Sequence, residues 1–405
     1  MSAQATGSFA ARVSVEALDR DPYPIYARLR AEEPVAWVPA VGMWLATRWA
    51  EAVRVASEPG SFAADMPGSP IDRSFGSPTI LTCDGEVHQE LRQGVGARLR
   101  PREVEGYVEE LIGPTCDRLL EALLAEDRDG AELMAEYLEP VSVLGLGALL
   151  GLGDLDAATL RRWFAGLAEG ATNFERDPSK QATCDAACAE IDEAIGPRLA
   201  RLAAEPDDSL ISHMLHEGMP DGESRSPELV MPSLKVLLLG GMQEPGHGAG
   251  TVLFCLLTHP EQLADVRADL DALLPAAIEE GMRWAAPIGT QGRRTTVALE
   301  LGGVALPADA PVAAVLASAN RDEARFEDGE RFDLHRTRQR AATFGFGPHF
   351  CSGHAFARGL ERIALRRLLE RAPHLALAPG EAVPFSGWEF RAPRALPVRW
   401  CGVTG

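Results

Sequence analysis

Ten residues, Phe344-Gly345-Phe346-Gly347-Pro348-His349-Phe350-Cys351-Ser352-Gly353, constrain this chain more than any other feature. The apolar periodicity of Ala355 to Arg371 predicts a helix directly after them. A cysteine flanked by glycines at a helix start meets backbone N–H groups and the positive end of the helix dipole, and both stabilise thiolate. Cys351 is therefore the candidate metal ligand. For the residue alone, a buried cysteine in a glycine-rich turn is the competing reading.

Helical periodicity dominates elsewhere. It predicts helices over Glu103 to Ala125, Ala157 to Leu167, Cys184 to Ala203, Leu229 to Leu257 and Pro260 to Leu273. Strand-like runs lie near Val35 to Leu45, Thr295 to Leu306 and in the last thirty residues, and Pro/Gly-rich breaks at Glu58 to Pro78 and Glu217 to Pro232. No internal repeat or long linker separates them. A chain of 405 residues, 46% apolar, can bury one large core, and one mainly α domain over residues 1–405 with a small β-rich part is the expectation. No run reaches the length of a membrane span, and Met1 to Ala11 lack a basic segment followed by an apolar one, so the expected location is cytoplasmic, without membrane. The seven cysteines are odd in number and scattered, and Cys184 and Cys188, four apart, are read as incidental rather than a disulfide or metal site. A net charge of −20 argues against nucleic acid as partner. From Arg336 to Arg371, however, eight arginines face only Glu361 and Glu370, a segment suited to an acidic protein partner.

In full, the Phe344 to Gly353 string resembles the haem loop of cytochromes P450, with phenylalanine, two glycines, histidine, cysteine and glycine in that family's register. The resemblance implies haem b (iron protoporphyrin IX) with Cys351 as proximal iron ligand, Phe344 and Gly345 being part of the cofactor loop. It also implies a fold with haem between a long distal helix and the proximal helix that follows the loop. Thiolate ligation pushes electron density to iron and favours O–O cleavage. Glu280-Gly281-Met282-Arg283 matches the family's Glu-x-x-Arg, a buried pair that supports the haem loop together with an arginine like Arg331; by itself that spacing is also an ordinary helix-surface pair. Ala319-Asn320-Arg321-Asp322, Phe326 and Phe332-Asp333 resemble the segment leading to the loop. Haem propionates need cationic or N–H donors. His88 and Arg92 match a His-x-x-x-Arg of the family, and His349 with either Arg293 or Arg294 completes the implied set.

In most members the distal helix carries an acid followed by threonine, which relay protons to bound oxygen. Counting back from Thr258-His259-Pro260, those positions fall here on Gln243 and Glu244, followed by Pro245 and Gly246. Glycines at 240 and 241 and the proline predict a local opening, because proline removes one backbone bond and clashes with the preceding turn. Glu244, in an apolar pocket, should have a raised pKa suited to acid–base work, with Gln243 orienting it without adding charge. The plainer alternative is that both residues only line the kink.

The distal segment Leu237 to Gly248 looks like that of the bacterial guaiacol-type aryl-ether O-demethylases, as do Asp207-Asp208-Ser209-Leu210-Ile211-Ser212-His213, Ser74-Phe75-Gly76-Ser77-Pro78 and Gly387-Trp388-Glu389-Phe390-Arg391. That resemblance implies a small phenol held by three phenylalanines and an apolar helix surface, here Val236 and Gly240. Two positions match at Phe75 and Phe390, while Ala171 stands where the third is expected; Gly289, Gln291 and Gly292 also depart from the pattern beside the pocket. Losing one ring leaves space for about one substituent. This favours syringol, with two methoxy groups, over guaiacol, with one.

The expected function is O-demethylation of a methoxyphenol. Hydroxylation of the methyl carbon gives an unstable hemiacetal that breaks to formaldehyde and a catechol-type product. The oxidant is O2 with a separate ferredoxin- or flavodoxin-type partner, since no reductase segment is present, or H2O2 directly. Alternatives are a biosynthetic enzyme hydroxylating or coupling another aromatic compound, and a non-catalytic haem sensor, for whose output module no residues remain.

Overall fold

The computed structural model describes residues 7–125 and 128–400. The first six residues of the amino-terminal segment and the last five of the strand-rich tail lie outside them. Helices begin where short polar side chains can take up free backbone N–H groups. Asp156 Oδ1 accepts from Thr159 N (2.8 Å) at the start of Ala157–Ala171, and Asp177 Oδ1 from Ser179 N (2.7 Å) at the start of Pro178–Ala204. Pro101–Leu123 and His354–Arg371 correspond to two further expected helices.

Two expected helices are each broken in two. Leu229 to Leu257 becomes Pro227–Met242 and Glu244–Thr258, separated at Gln243. Pro245 has no N–H for the Gly241 carbonyl, and at the next carbonyl Met242 O accepts from Ser142 Oγ at 2.5 Å, on a neighbouring helix, Glu139–Leu150. Pro260 to Leu273 becomes Pro260–Ala268 and Leu270–Trp284, because Asp269 turns extended and its carboxylate caps Ala272 N at 3.0 Å. Neither expected break is featureless. The first holds strand Phe62–Ala63 and helix Pro70–Phe75, and the second ends at Pro227, where Ser226 Oγ caps Leu229 N.

The principal sheet has five strands in the order Val35–Val38, Met43–Ala46, Pro311–Val315, Thr290–Thr295 and Phe62–Ala63. All its pairings are antiparallel except Met43–Ala46 with Pro311–Val315. The helical core runs through Ile112, Val141, Leu234, Val252 and Leu360, with two smaller apolar clusters against the sheet. His354–Arg371 packs on Pro101–Leu123 and on Glu244–Thr258, so the helix after the cysteine loop and the split helix are held in one body. Among the described residues no helix is long and apolar enough to cross a membrane.

Candidate active site

The cysteine loop is fixed by its own backbone. Gly345 and Gly347 adopt φ of +69° and +67°, a region costly for other residues, and Cys351 N then donates to Phe344 O at 3.0 Å. Burial pushes the Cys351 thiol pKa up, while the backbone N–H groups of Gly353 and His354 and the guanidinium groups of Arg92 and Arg358 oppose it. A group that removes the sulfur's proton meets donors already in place.

Around this loop the expected cationic groups divide sharply. Arg294 is committed to Asp65 (2.8 Å) and Asp309 (2.7 Å), whereas Arg293, its neighbour on the strand, is buried with Nη2 unpartnered. Both ring nitrogens of His349 are engaged, Nε2 by Asp84 (2.9 Å) and Nδ1 by Ile80 O (3.2 Å), and the ring lies 4.0 Å from that of His88. His88 is buried with Nε2 free, and burial, then the neighbouring His349, depresses its pKa to about 4. Arg92 Nη2 donates to Phe350 O at 2.8 Å. Buried donors without partners call for an explanation. The Cys351 thiol in its loop, together with the buried unpartnered nitrogens of His88 and Arg293, fits a haem whose propionates His88, Arg92 and Arg293 would hold. Of the other expected donors, Arg294 is tied to Asp65 and Asp309, and both His349 ring nitrogens are already engaged, by Asp84 and Ile80 O.

Behind the loop, Glu280 accepts from Arg283 at both oxygens (2.7 and 2.8 Å) and from the Asp333 backbone N–H (2.9 Å). The third partner differs from the expectation. Arg336 Nε reaches Glu280 Oε1 at 3.1 Å, while the Arg331 side chain is 74% exposed and contributes only its carbonyl, which accepts from Arg283. The chain turns after Arg331, pointing it outward and bringing residue 336 back over Leu270–Trp284. Arg283 also holds Asn320 O, and Asn320 Oδ1 accepts from Ala342 N at 2.6 Å, so the triad is wired to the segment entering the loop.

On the split helix Glu244 is buried, and neither carboxylate oxygen has a hydrogen-bond partner. Burial raises its pKa to about 8. Gln243, also buried, forms the break itself. Nearby, His247 Nδ1 lies 3.9 Å from Glu244 Oε1 and its Nε2 lies 3.6 Å from Glu139 Oε1; Glu139 is paired with Arg161. None of these three was picked out by sequence reasoning, because they come from three different helices.

Of the expected pocket residues, Phe75, Ala171 and Val236 are buried, Phe390 is partly buried, and Gly240 is exposed with nothing within 4 Å of where a side chain would begin. Phe390 stands edge-on to Phe164 (ring centroids 6.1 Å apart), which in turn meets His247 (5.9 Å). Phe164 is a third aromatic residue that the sequence reading missed; its signal is the seven-residue spacing to Ala171, which puts both on one helix face. Two expectations need correction. Gly289 makes no pocket space, since a side chain there would collide with the Trp388 carbonyl as Gly289 N donates to Glu389 O (2.9 Å). The Gln291 amide lies over Gly345, beside the cysteine loop, with Oε1 buried and unpartnered.

Cys184 and Cys188 are free thiols. The basic segment is less free than its composition suggests: Arg336, Arg358, Arg366, Arg367 and Arg371 all pair with acids, mostly from other helices. Arg340 and Arg362 have no ion pair among the described residues and line a cleft of about 740 Å³ with Phe344, Phe350 and His354, on the outer side of the cysteine loop.

Comparison with known proteins agrees with this geometry. The family model described as Cytochrome P450 matches residues 179–377. Cytochrome P450 monooxygenase PikC of Streptomyces venezuelae is 34% identical, covering 94% of this chain and 91% of that protein. The 6-deoxyerythronolide B hydroxylase of Saccharopolyspora erythraea is 32% identical over 88% and 90%. Among solved structures, cytochrome P450 CREJ in complex with (4-ethylphenyl) dihydrogen phosphate superposes with a TM-score of 0.84 at 25% identity, over 94% of this chain and 98% of that one.

Proposed function

The chain belongs to the cytochrome P450 family and is a haem-thiolate monooxygenase, and from that premise we propose that its substrate is a small methoxyphenol, syringol in preference to guaiacol, which it O-demethylates. The observation that carries this reading is the edge-on pair of Phe164 and Phe390, with Ala171 on the Phe164 helix face and Phe75 also buried. Such rings suit a flat, apolar substrate, and the missing ring at Ala171 leaves room for a second methoxy group. That an aryl phosphate binds CREJ is consistent with an aromatic ligand on this fold.

Bound haem supplies the oxidising chemistry that inserts oxygen into the methyl C–H bond. The protein's own work is positional and protolytic. Cys351, beside the Gly353 and His354 N–H groups, would ligate the iron, and His88, Arg92 and Arg293 would hold the propionates. Glu280, Arg283 and Arg336 brace the loop. Glu244, buried with both carboxylate oxygens free of partners, would give up and take back a proton within the pocket. Its pKa near 8 suits both roles at neutral pH. Electrons come from a ferredoxin- or flavodoxin-type protein docking at the cleft of Arg340 and Arg362, or are bypassed by H2O2. The hemiacetal formed from the methoxy group then loses formaldehyde.

A second reading, hydroxylation of a larger substrate, is favoured by the relative named for 6-deoxyerythronolide B. Spectral titration of the ferric holoprotein with guaiacol, syringol and 6-deoxyerythronolide B decides between them. Syringol should give the fullest change and release formaldehyde on turnover; a response to 6-deoxyerythronolide B and to neither phenol overturns the proposal.

A further inference from the structure

Between the distal carboxyl group and the surface runs a line of titratable side chains that the reading above does not use. Glu244, His247, Glu139 and Arg161 follow one another from the buried split helix through Glu139–Leu150 to Ala157–Ala171. The two gaps are 3.9 Å (Glu244 Oε1 to His247 Nδ1) and 3.6 Å (His247 Nε2 to Glu139 Oε1), and the Glu139–Arg161 pair closes the line. Glu244 and His247 are buried (6% and 2% exposed), and from His247 outward exposure rises to 12% at Glu139 and 35% at Arg161. His247 is fully enclosed, its ring edge-on to Phe164, and its Nδ1 has no hydrogen-bond partner. A buried imidazole nitrogen without a partner, facing a buried carboxyl group without a partner, is a costly arrangement that packing alone does not require.

We propose that His247 and Glu139 form a proton path connecting Glu244 to solvent at Arg161, so that the distal carboxyl group is charged and discharged from behind rather than through the substrate mouth. This rests on the reading of Glu244 as the distal acid. Burial keeps His247 neutral by lowering its pKa. Glu139 stays ionised, because His247 and Arg161 outweigh its own burial. The charge of Arg394 reaches both His247 and Glu244, and that of Arg161 reaches His247.

In the resting tautomer the His247 Nε2–H points at the Glu139 carboxylate, and Nδ1 presents its lone pair to the Glu244 carboxyl proton. Outward transfer moves that proton onto Nδ1 as the Nε2 proton passes to Glu139, which releases it to water beside Arg161. Inward transfer is the reverse, so charge and protons balance in both directions. The gaps exceed hydrogen-bond length by about 1 Å or less, a margin that a small side-chain shift spans. His247 and Glu139 are thus positioning and relay residues.

The test is infrared spectroscopy of the holoprotein transferred rapidly from H2O to D2O at neutral pH, following the carboxylic-acid band that Glu244→Gln removes. Glu361, another buried carboxyl group whose pKa burial raises well above the ordinary value, provides an internal reference. His247→Phe and Glu139→Gln should keep the Glu244 band but slow its isotope shift by at least ~100-fold, the lower edge of what positioned acid–base groups contribute. The Glu361 band should exchange at its wild-type rate. Unchanged Glu244 exchange in both variants overturns the path, as does equal slowing of both bands, which would mean a general loosening or tightening of the fold. A wild-type protein with no Glu244 carboxylic-acid band would instead overturn the reading of Glu244 as a neutral distal acid, and the path with it.

Discussion

Replacing Glu244 by glutamine should make the protein more stable, and by an amount that depends on pH in a defined direction. Glu244 is buried, with both oxygens unpartnered, and burial lifts its pKa from 4.5 to about 8. Below pH 4.5 the carboxyl group is protonated in both folded and unfolded chains and contributes no pH dependence. Between 4.5 and about 8 the unfolded chain ionises while the folded one does not, so the unfolded state binds fewer protons and stability falls as pH rises. At 1.36 kcal/mol per pH unit, the interval from 4.5 to 7 corresponds to about 3 kcal/mol. Glu244→Gln removes this term. Its advantage over wild type should therefore grow by about 3 kcal/mol from pH 4.5 to pH 7 and level off above about pH 8. Urea unfolding of the holoproteins across this range, followed by far-ultraviolet circular dichroism and by haem absorbance, measures the difference. A constant offset between the two proteins at every pH would refute the reasoning, since a pH-independent effect means that the Glu244 pKa is not raised by folding.

Four further outcomes follow from the site. Cys351→Ser should abolish the long-wavelength absorbance of the reduced carbon monoxide complex that thiolate ligation gives; a retained band would show that another residue ligates iron. Ala171→Phe should reverse the preference from syringol to guaiacol in spectral titrations by on the order of 10-fold, the usual cost of overfilling a pocket by a substituent, and equal responses in both proteins would remove Ala171 from the pocket. Peroxide-driven formaldehyde release should fall by roughly 10²–10⁴-fold in Glu244→Thr and Glu244→Gln, and unchanged rates would leave Glu244 as part of the kink only. Arg336→Met should destabilise by about 2–3 kcal/mol, the worth of a charged hydrogen bond, while Arg331→Met stays within about 0.5 kcal/mol; similar losses in denaturant titrations would contradict the observed geometry.

The sequence by itself determined what depends on neighbours along the chain. The Gly345 and Gly347 turns, the cysteine before its helix, the Glu280–Arg283 pair three residues apart and the interruption before Pro245 are all local, because proline and glycine restrict or free the backbone within a turn and helical spacing sets which side chains share a face. Resemblance to the family then supplied the haem and the ligand set. Tertiary structure decided everything that requires two distant segments to meet. Arg293 and Arg294 are equivalent in sequence, and only the strand's pairing within the sheet turns the first inward and ties the second to Asp65 and Asp309. Arg336 replaces Arg331 against Glu280 because of the path the loop takes between them. Gly289 reads as a gap beside the pocket but is a contact between two backbones. His247, Glu139 and Arg161 carry no motif, since residues from three helices become a line only when packing brings them together.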